Sequence, residues 1–355
     1  MDNQKDKSGM LELMTQPALC VENGVICYLN HPARQLLLEV GVPVSTLLGN
    51  DAQEYARFQD GCLYLTMEIM ERQLGAWVTR LDSCDVFIIE QETDRADLRA
   101  MALTAMGFRE PLSGIQAIVS RLRSAIDDGD AATQNQFAQM NQRLFQMQRM
   151  VCNMSDAARY ASETSPRMSH QNICSVIAEI FEHAQTLLEH CGIDLRYTVP
   201  LESIICAIDT EKLERAVYNM LSNAARAMES GGIIEAKLTR QNQTLYLSVR
   251  DYGNSIPDHT MPQVFSRFQR QPGLEDSGSG IGLGMVLIRL AATTHGGTVL
   301  VDRPDGIGTR VTMSIPIRQD RTTTVRSQTF HFDYAGERDH GLLELSNILP
   351  AELYR

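Results

Sequence analysis

The sequence predicts a multidomain α+β protein, because its hydrophobic pattern changes character twice along the 355 residues. Short apolar runs separated by turn residues come first and are typical of a small antiparallel sheet. Two long stretches with helical periodicity follow. The C-terminal half alternates helices and strands, the pattern of a mixed α/β domain. At about 100 to 200 residues per domain, this length predicts two or three domains.

We place the domain boundaries where these patterns change. The N-terminal sheet domain covers 1–91, the helical part covers 92–163, and the mixed domain covers 164–317. The second boundary lies in the polar linker "SETSPR". A tail at 318–355 begins polar ("RQDRTTTVRSQ") and ends apolar ("HGLLELSNILPAELY"), and we expect its last part to dock as a short amphipathic helix.

Composition disfavours several classes of protein. A net charge of −12 argues against a broad nucleic-acid-binding surface. The chain has no apolar run of about 18 residues, so we expect no membrane span, and the start "MDNQKDKSGM" is too polar for a secretory signal. Eight scattered cysteines without a CxxC pair predict reduced thiols, not a disulfide framework or a zinc site. These features predict a cytoplasmic protein.

The N-terminal domain is expected to contain two strands, a helix and three strands. "PALCVENGVICYLN" predicts two strands around Asn23-Gly24, a strong signal for a two-residue hairpin turn. "HPARQLLLEVG" predicts a short helix that ends at Gly41. The runs "GCLYLTMEIM", "QLGAWVTRL" and "CDVFIIEQ" predict the remaining strands of an antiparallel sheet.

The helical part predicts a hairpin of two long helices broken at "DDGDAAT". Apolar residues recur three, four or seven positions apart over 98–126, and Pro111 interrupts this seam at a cost of about 3 kcal/mol. The second helix repeats apolar residues at the same spacing: Phe137, Met140, Leu144, Met147, Val151 and Met154. One hairpin cannot bury such a stripe alone, so we expect an antiparallel hairpin that forms a homodimeric four-helix bundle.

Two polar motifs in the mixed domain favour phosphate and metal binding. Four glycines alternate directly before an apolar helix: Gly278, Gly280, Gly282 and Gly284. Glycines let the backbone approach phosphate oxygens, and a helix N-terminus supplies amide donors. Asn219 and Asn223 lie four residues apart on one helix face, where amide oxygens can ligate Mg²⁺ together with substrate phosphates.

The order of six motifs resembles the ATP-binding domain of sensor histidine kinases, within the gyrase/Hsp90/histidine-kinase/MutL (GHKL) superfamily. The motifs are "NxxxNAA", "DxGxxIP", "VFxRF", "GxGIGLG", "HGGTV" and "GIGTRVTMSIP", spread over 205–317. The resemblance implies an α/β sandwich of the Bergerat type that binds ATP and Mg²⁺. The helical hairpin is similar to the dimerisation and phosphotransfer domain of this family, and the N-terminal domain is similar in pattern to a PAS sensor domain.

The resemblance also assigns site residues by position. Asn223 resembles the Mg²⁺-binding asparagine, and Asn219 lies one turn before it. Arg226 takes the place of the basic phosphate contact. Asp251 looks like the carboxylate that accepts the adenine amino group, with Gly253 beside the ring.

Three further assignments follow from the same resemblance. Gly278, Gly280 and Gly282 look like the phosphate loop that leads into Gly284, and 264–279 looks like the mobile lid. Thr309 matches a threonine near adenine. Ser255 departs from the usual glycine and is expected to narrow the backbone freedom near the base. Gyrase-like relatives carry a glutamate general base at Asn219, and its absence favours transfer over hydrolysis.

The phosphoacceptor motif departs from the family. Relatives read Ser-His-Glu-Leu-Arg-Thr-Pro-Leu, and an alignment on Arg109 and Pro111 places Met106 at the histidine and Gly107 at the glutamate. Glu110 stands at the threonine that relatives use for phosphatase action. A thioether has no acid–base function and cannot form a phosphoramidate. The sequence therefore retains the proline of the family motif but lacks the residues that accept the phosphoryl group.

Three functions remain open from the sequence. The first is an ATP-binding, homodimeric signalling protein that cannot phosphorylate itself at the usual position, because no histidine lies between His31 and His170. The second is an active kinase with an unorthodox acceptor such as Ser113, although a hydroxyl without an adjacent base is a poor nucleophile. The third is a non-catalytic scaffold that binds a response regulator or a partner kinase.

Overall fold

The computed structural model describes residues 11–81, 84–125, 131–161, 166–228, 231–266, 283–318 and 339–355. It is a mixed α+β structure built around one large sheet. The N-terminal elements are β1 (Ala18–Glu22), β2 (Val25–Leu29), α1 (His31–Arg34), α2 (Ser45–Leu48), α3 (Ala52–Arg57), β3 (Cys62–Ile69), β4 (Arg72–Leu81) and β5 (Cys84–Ile89). All five strands predicted from the apolar runs are present.

The first hairpin turn forms as the sequence predicts. Asn23 and Gly24 have φ angles of 51° and 78°, the pair of positive values that a tight two-residue hairpin turn needs. The predicted helix up to Gly41 is wrong in length, since α1 ends at Arg34. The backbone at Gly41 donates instead to the carbonyl of Ile26 at 2.8 Å, so β2 takes up this segment.

The helical hairpin consists of α4 (Glu92–Ala125) and α5 (Ala131–Ala161), and Pro111 lies inside α4. The side-chain amide of Gln116 donates to Gln148 at 3.3 Å, while Met101 and Met154 pack against the same buried cluster around Ala157, so the helices run antiparallel. Their shared seam is buried and apolar: Ala105, Leu112, Val119, Leu144 and Val151. The heptad spacing therefore identified the residues that hold the two helices together.

The C-terminal part adds seven strands and four helices within the described residues. They are β6 (Ser169–Asn172), α6 (Ile173–Glu189), β7 (Ile193–Thr198), β8 (Ile205–Ile208), α7 (Thr210–Ala227), β9 (Gly232–Gln241), β10 (Thr244–Asp251), α8 (Gly284–His295), β11 (Val299–Asp302), β12 (Arg310–Pro316) and α9 (His340–Glu344). Sequence patterns missed β6 and β8, four-residue strands that pair only with each other. Apolar faces of α6, α7 and α8 share one buried core with β7, β9, β10 and β12.

Ten of the described strands form a single sheet in the order β2-β1-β5-β4-β3-β11-β12-β10-β9-β7. The N-terminal and C-terminal strands meet where β3 pairs antiparallel with β11, and Tyr64 lies opposite Val299. The indole nitrogen of Trp77 donates to the carbonyl of Pro262 at 2.9 Å, and the rings of Tyr64 and Phe265 lie 5.5 Å apart. The N-terminal domain is thus joined to the segment that enters the glycine-rich region.

The end of the tail docks as a short helix, as the sequence indicates. After α9, a 3-10 turn at Ala351–Tyr354 packs along α5, and the rings of Tyr354 and Phe145 lie 5.0 Å apart. All eight cysteines are free, and five of them are buried. Within the described ranges, no helix combines the length and the apolar character needed to cross a membrane.

Candidate functional site

A cavity of about 580 Å³ lies between α7, the start of α8 and the ends of β10 and β12, with α5 and the tail on one side. It brings together most of the predicted site residues that the structure describes. Its lining includes Arg149, Asn153, Asn219, Ser222, Asn223, Arg226, Asp251, Gly284, Thr309 and Asn347. These residues come from distant parts of the sequence, so the fold assembles the site.

Asp251 ends β10 at one side of the cavity and is buried. Its Oδ1 accepts hydrogen bonds from the backbone amides of Gly253 at 3.0 Å and Thr309 at 3.2 Å. The second carboxylate oxygen, Oδ2, accepts no hydrogen bond from the described residues. Burial raises the pKa of Asp251 to about 6, although the two amides oppose the shift. The carboxylate is therefore a fixed acceptor for a donor in the cavity.

Two glycines allow the backbone around Asp251 to close up. A Cβ at Gly253 would lie 2.1 Å from the carbonyl oxygen of Ala227, at the end of α7. A Cβ at Gly308, where φ is +66°, would lie 2.0 Å from the carbonyl oxygen of Asp251. Only glycine fits either approach. Gly308 was not assigned from the sequence, although the glycine pair in "GIGT" is a signal for such a turn.

The other end of the cavity is formed by α7 and the N-terminus of α8. Asn219 is buried, and its amide nitrogen donates to the carbonyl of Arg215 at 2.8 Å. The side chain of Asn223, one turn further, donates to the Met285 sulfur at 3.6 Å. A Cβ at Gly284 would lie 3.2 Å from Asn219 Oδ1 and 3.5 Å from Asn223 Oδ1, so this glycine leaves room beside both amide oxygens.

A Mg²⁺ ion that is bound by both the protein and the phosphates of a nucleotide would need space beside these amide oxygens. No group of three or more His, Cys, Asp or Glu side chains in the described ranges could hold a metal ion on its own. The oxygen of Asn223 is a suitable single protein ligand for a hard cation that takes its other ligands from water and phosphate. The residues present therefore fit a magnesium–nucleotide complex better than a resident metal.

The remaining predicted residues divide into three groups. Arg226 lies at the rim of the cavity, and part of its side chain is exposed. Partial burial of the guanidinium and then the charge of Arg149 lower its pKa. Thr309 is buried and contacts Asp251 through its backbone amide. Gly278, Gly280, Gly282 and most of the predicted lid at 264–279 lie outside the described residues.

Ser255 does not strain the backbone. It is absent from the described residues with positive φ, so its conformation is open to any L-residue. The departure from glycine at this position therefore requires no unusual backbone conformation.

The predicted acceptor position lies on the surface of α4. The Met106 side chain is 61% exposed. A Cβ built at Gly107 meets no atom within 4 Å. Larger side chains fit at both positions without displacing a neighbour.

Several residues of the cavity were missed from the sequence. Arg149 and Asn153 come from α5, and Asn347 comes from the tail. Arg149 looks like an ordinary polar residue beside the methionine seam, so no local pattern identifies it. Its role depends on the docking of the hairpin against α7, which the sequence does not specify.

Comparisons with known proteins found a matching family and several similar sensory kinases. Residues 208–319 match the family "Histidine kinase-, DNA gyrase B-, and HSP90-like ATPase". The sensor histidine kinase WalK of Bacillus subtilis is 24% identical over 84% of this chain and 53% of its own length. The adaptive-response sensory kinase SasA of a Synechococcus species is 25% identical over 66% of this chain and 64% of its own length. The chain thus spans less than two thirds of either relative.

One solved structure supports the fold. Full-length ShkA in complex with AMPPNP aligns with a TM-score of 0.50 over 62% of this chain and 46% of its own length, at 19% identity. The match concerns architecture.

Proposed function

We propose that the chain is a sensor histidine kinase-like signalling protein of a two-component system that binds Mg-ATP in the described cavity, since residues 208–319 match a histidine kinase-type ATPase family and its relatives are sensory kinases. We propose further that it does not phosphorylate itself at the usual position. The observation that carries the first part is the meeting of Asp251 with Asn219 and Asn223 around one cavity.

The two ends of the cavity suit the two ends of ATP. A buried carboxylate with one engaged oxygen is an acceptor for the adenine amino group, and Gly253 provides a flat backbone beside the ring. At the opposite end, Asn223 would hold Mg²⁺, which neutralises phosphate charge when it is bound. Arg226 at the rim and Arg149 in the wall provide guanidinium donors for a polyanion.

The second part rests on Met106. A thioether offers no nitrogen nucleophile, and Gly107 offers no carboxylate to take a proton. Both positions face solvent and are sterically open, so the loss of chemistry comes from the side chains themselves. Signalling would then proceed through conformation, with nucleotide shifting the packing of the hairpin against the ATPase domain.

Two parts of the architecture belong to the same proposal. The five N-terminal strands between Ala18 and Ile89 support a PAS-like sensor domain at 1–91, followed by the hairpin at 92–163 and the ATPase domain at 164–317. The hairpin carries exposed large apolar side chains on both helices: Leu103, Ile115, Ile118, Leu122, Met140 and Met147. Such a stripe supports a homodimeric four-helix bundle. Phe108, two residues after Met106 in α4, is also exposed, which favours docking of a response regulator or a partner kinase at this part of the hairpin.

Nucleotide binding is the experiment that tests the proposal. We expect excess Mg-ATP to raise the melting temperature of the full chain, because a ligand at 100 times its Kd stabilises by about 2.7 kcal/mol. Asn223→Ala should abolish the magnesium-dependent part of this rise. Asn50→Ala, an exposed asparagine of the N-terminal domain, is the control and should behave as wild type. A wild-type chain whose melting temperature ignores Mg-ATP would refute the proposal.

A further inference from the structure

The wall of the cavity is completed by residues outside the matched ATPase region at 208–319. Arg149 and Asn153 reach it from α5, the second helix of the hairpin, and Asn347 reaches it from the tail. Three separate parts of the chain therefore converge on one cavity. The tail and the hairpin are close enough to act on whatever binds there.

The tail is fixed between the hairpin and the ATPase domain by several contacts. The side chain of Gln142 on α5 donates to the carbonyl of Leu349 at 2.6 Å. On the other side, Asp339 bonds to Nε2 of His183 on α6 at 3.0 Å. The tail therefore bridges α5 and α6, and it carries Glu344 into the space between them and α7.

Glu344 is completely buried between two arginines. Its Oε2 accepts from Nε of Arg149 at 3.2 Å, and its Oε1 accepts from Nε of Arg215 at 3.0 Å. Arg215 also pairs with Asp156 and donates to Asn153 at 2.6 Å. A buried carboxylate shared in this way holds the Arg149 side chain in one direction.

That direction is toward the phosphate end of the cavity. Nη2 of Arg149 lies 3.2 Å from Ser222 Oγ and 3.4 Å from Asn219 Oδ1, both on α7. Arg226 lies near enough for its pKa to be lowered by the Arg149 charge. Two guanidinium groups that converge on a cavity favour a ligand with several negative charges.

We infer that Arg149 is a nucleotide-binding residue supplied by the hairpin, and that Glu344 of the tail is the positioning residue that holds it against the phosphate chain of ATP. The inference rests on the proposed binding of ATP and adds a ligand from outside the ATPase domain. It makes nucleotide affinity dependent on the docking of the hairpin and the tail. An uncharged adenine compound would not depend on either residue.

The test compares Mg-ATP with adenosine, which has no phosphate, by calorimetric titration of the full chain. Arg149→Met should weaken Mg-ATP binding about 10- to 100-fold, the usual range for a hydrogen bond to a charged group, and leave adenosine binding unchanged. Arg149→Lys keeps the charge without the planar fork and should be intermediate. Arg143→Met removes an exposed arginine of the same helix and should match wild type.

Arg149→Met leaves the buried Glu344 carboxylate with one partner fewer, which could destabilise the fold. A second variant therefore also removes the charge of Glu344. Arg149→Met/Glu344→Gln removes that charge and should show the same selective loss of Mg-ATP affinity. If these variants bind Mg-ATP as tightly as Arg143→Met, Arg149 is not a ligand. An equal loss for Mg-ATP and adenosine would mean a structural role, and it would also overturn the inference. A wild-type chain that binds neither compound would refute the proposed function itself.

Discussion

The ionisation of Asp251 should make ATP binding depend on pH in a defined window. The ionised carboxylate is a much stronger acceptor for the adenine amino group than the protonated acid, and burial raises its pKa from 3.8 to about 6. Lowering the pH through 6 therefore protonates the acceptor before the ligand arrives. We expect full affinity above this pH and a progressive loss below it.

The size of the effect follows from the pKa. If only the ionised form binds, the apparent Kd increases by the factor 1 + 10^(pKa − pH). With a pKa of about 6, the factor is close to 1 at pH 7.5 and about 11 at pH 5, a loss of about 1.4 kcal/mol. Below that pH the affinity should fall about tenfold per pH unit.

The assay is calorimetric titration of Mg-ATP into the full chain between pH 5 and pH 7.5. Asp251→Asn is the reference, because it keeps an acceptor oxygen but cannot titrate, so the pH dependence of its remaining affinity comes from groups other than Asp251, the nucleotide phosphates included. Acid unfolding through this group does not confuse the result. Its pKa is raised in the folded state, so protonation between about 6 and 3.8 stabilises the fold. A wild-type profile parallel to that of Asp251→Asn would refute the reasoning.

Three further predictions concern stability and can be measured by urea unfolding. Gly253→Ala places a Cβ 2.1 Å from the carbonyl oxygen of Ala227 and should lower the free energy of unfolding by about 1–3 kcal/mol, with loss of ATP binding; an unchanged midpoint would contradict it. Glu90→Gln removes the charge partner of the buried Arg289 and should cost about 1–3 kcal/mol, because it weakens the junction between the N-terminal domain and α8; wild-type stability would show that the pair contributes nothing. Burial lowers the pKa of His295 below its usual 6.5, so the free energy of unfolding of wild type should decrease as pH falls below 6.5. The decrease should be smaller for His295→Gln, and an equal decrease in the two proteins would exclude this cause.

Local patterns in the sequence predicted most of the elements and six of the ten cavity residues named above. The heptad spacing in the hairpin identified Leu112, Val119, Leu144 and Val151 as seam residues because helical periodicity is a property of one segment. The asparagines of α7 are a similar case, since a spacing of four residues places Asn219 and Asn223 on one face. The predicted helix at 31–41 was wrong in length, because the backbone amide of Gly41 bonds to the carbonyl of Ile26 in β2 and not within a helix.

The rest depends on contacts between segments that are far apart in the sequence. Glu344 and Arg149 are separated by 195 positions, and each looks like an ordinary surface charge in its own helix. The pairing of β3 with β11 cannot be read from the sequence either, because a strand carries no local signal for its partner. Only the folded chain shows that the hairpin, the tail and the N-terminal sheet all contact the ATPase domain.

Incubation with γ-labelled ATP and Mg²⁺ measures whether phosphate reaches α4 of a chain that is proposed to bind ATP without phosphorylating itself at Met106. Wild type and the variant Met106→His/Gly107→Glu are incubated side by side, and the label is tested for stability in acid and in base. We expect acid-labile, base-stable label on the double variant and none on wild type. Such label on wild type would mean that the chain phosphorylates itself on a histidine after all.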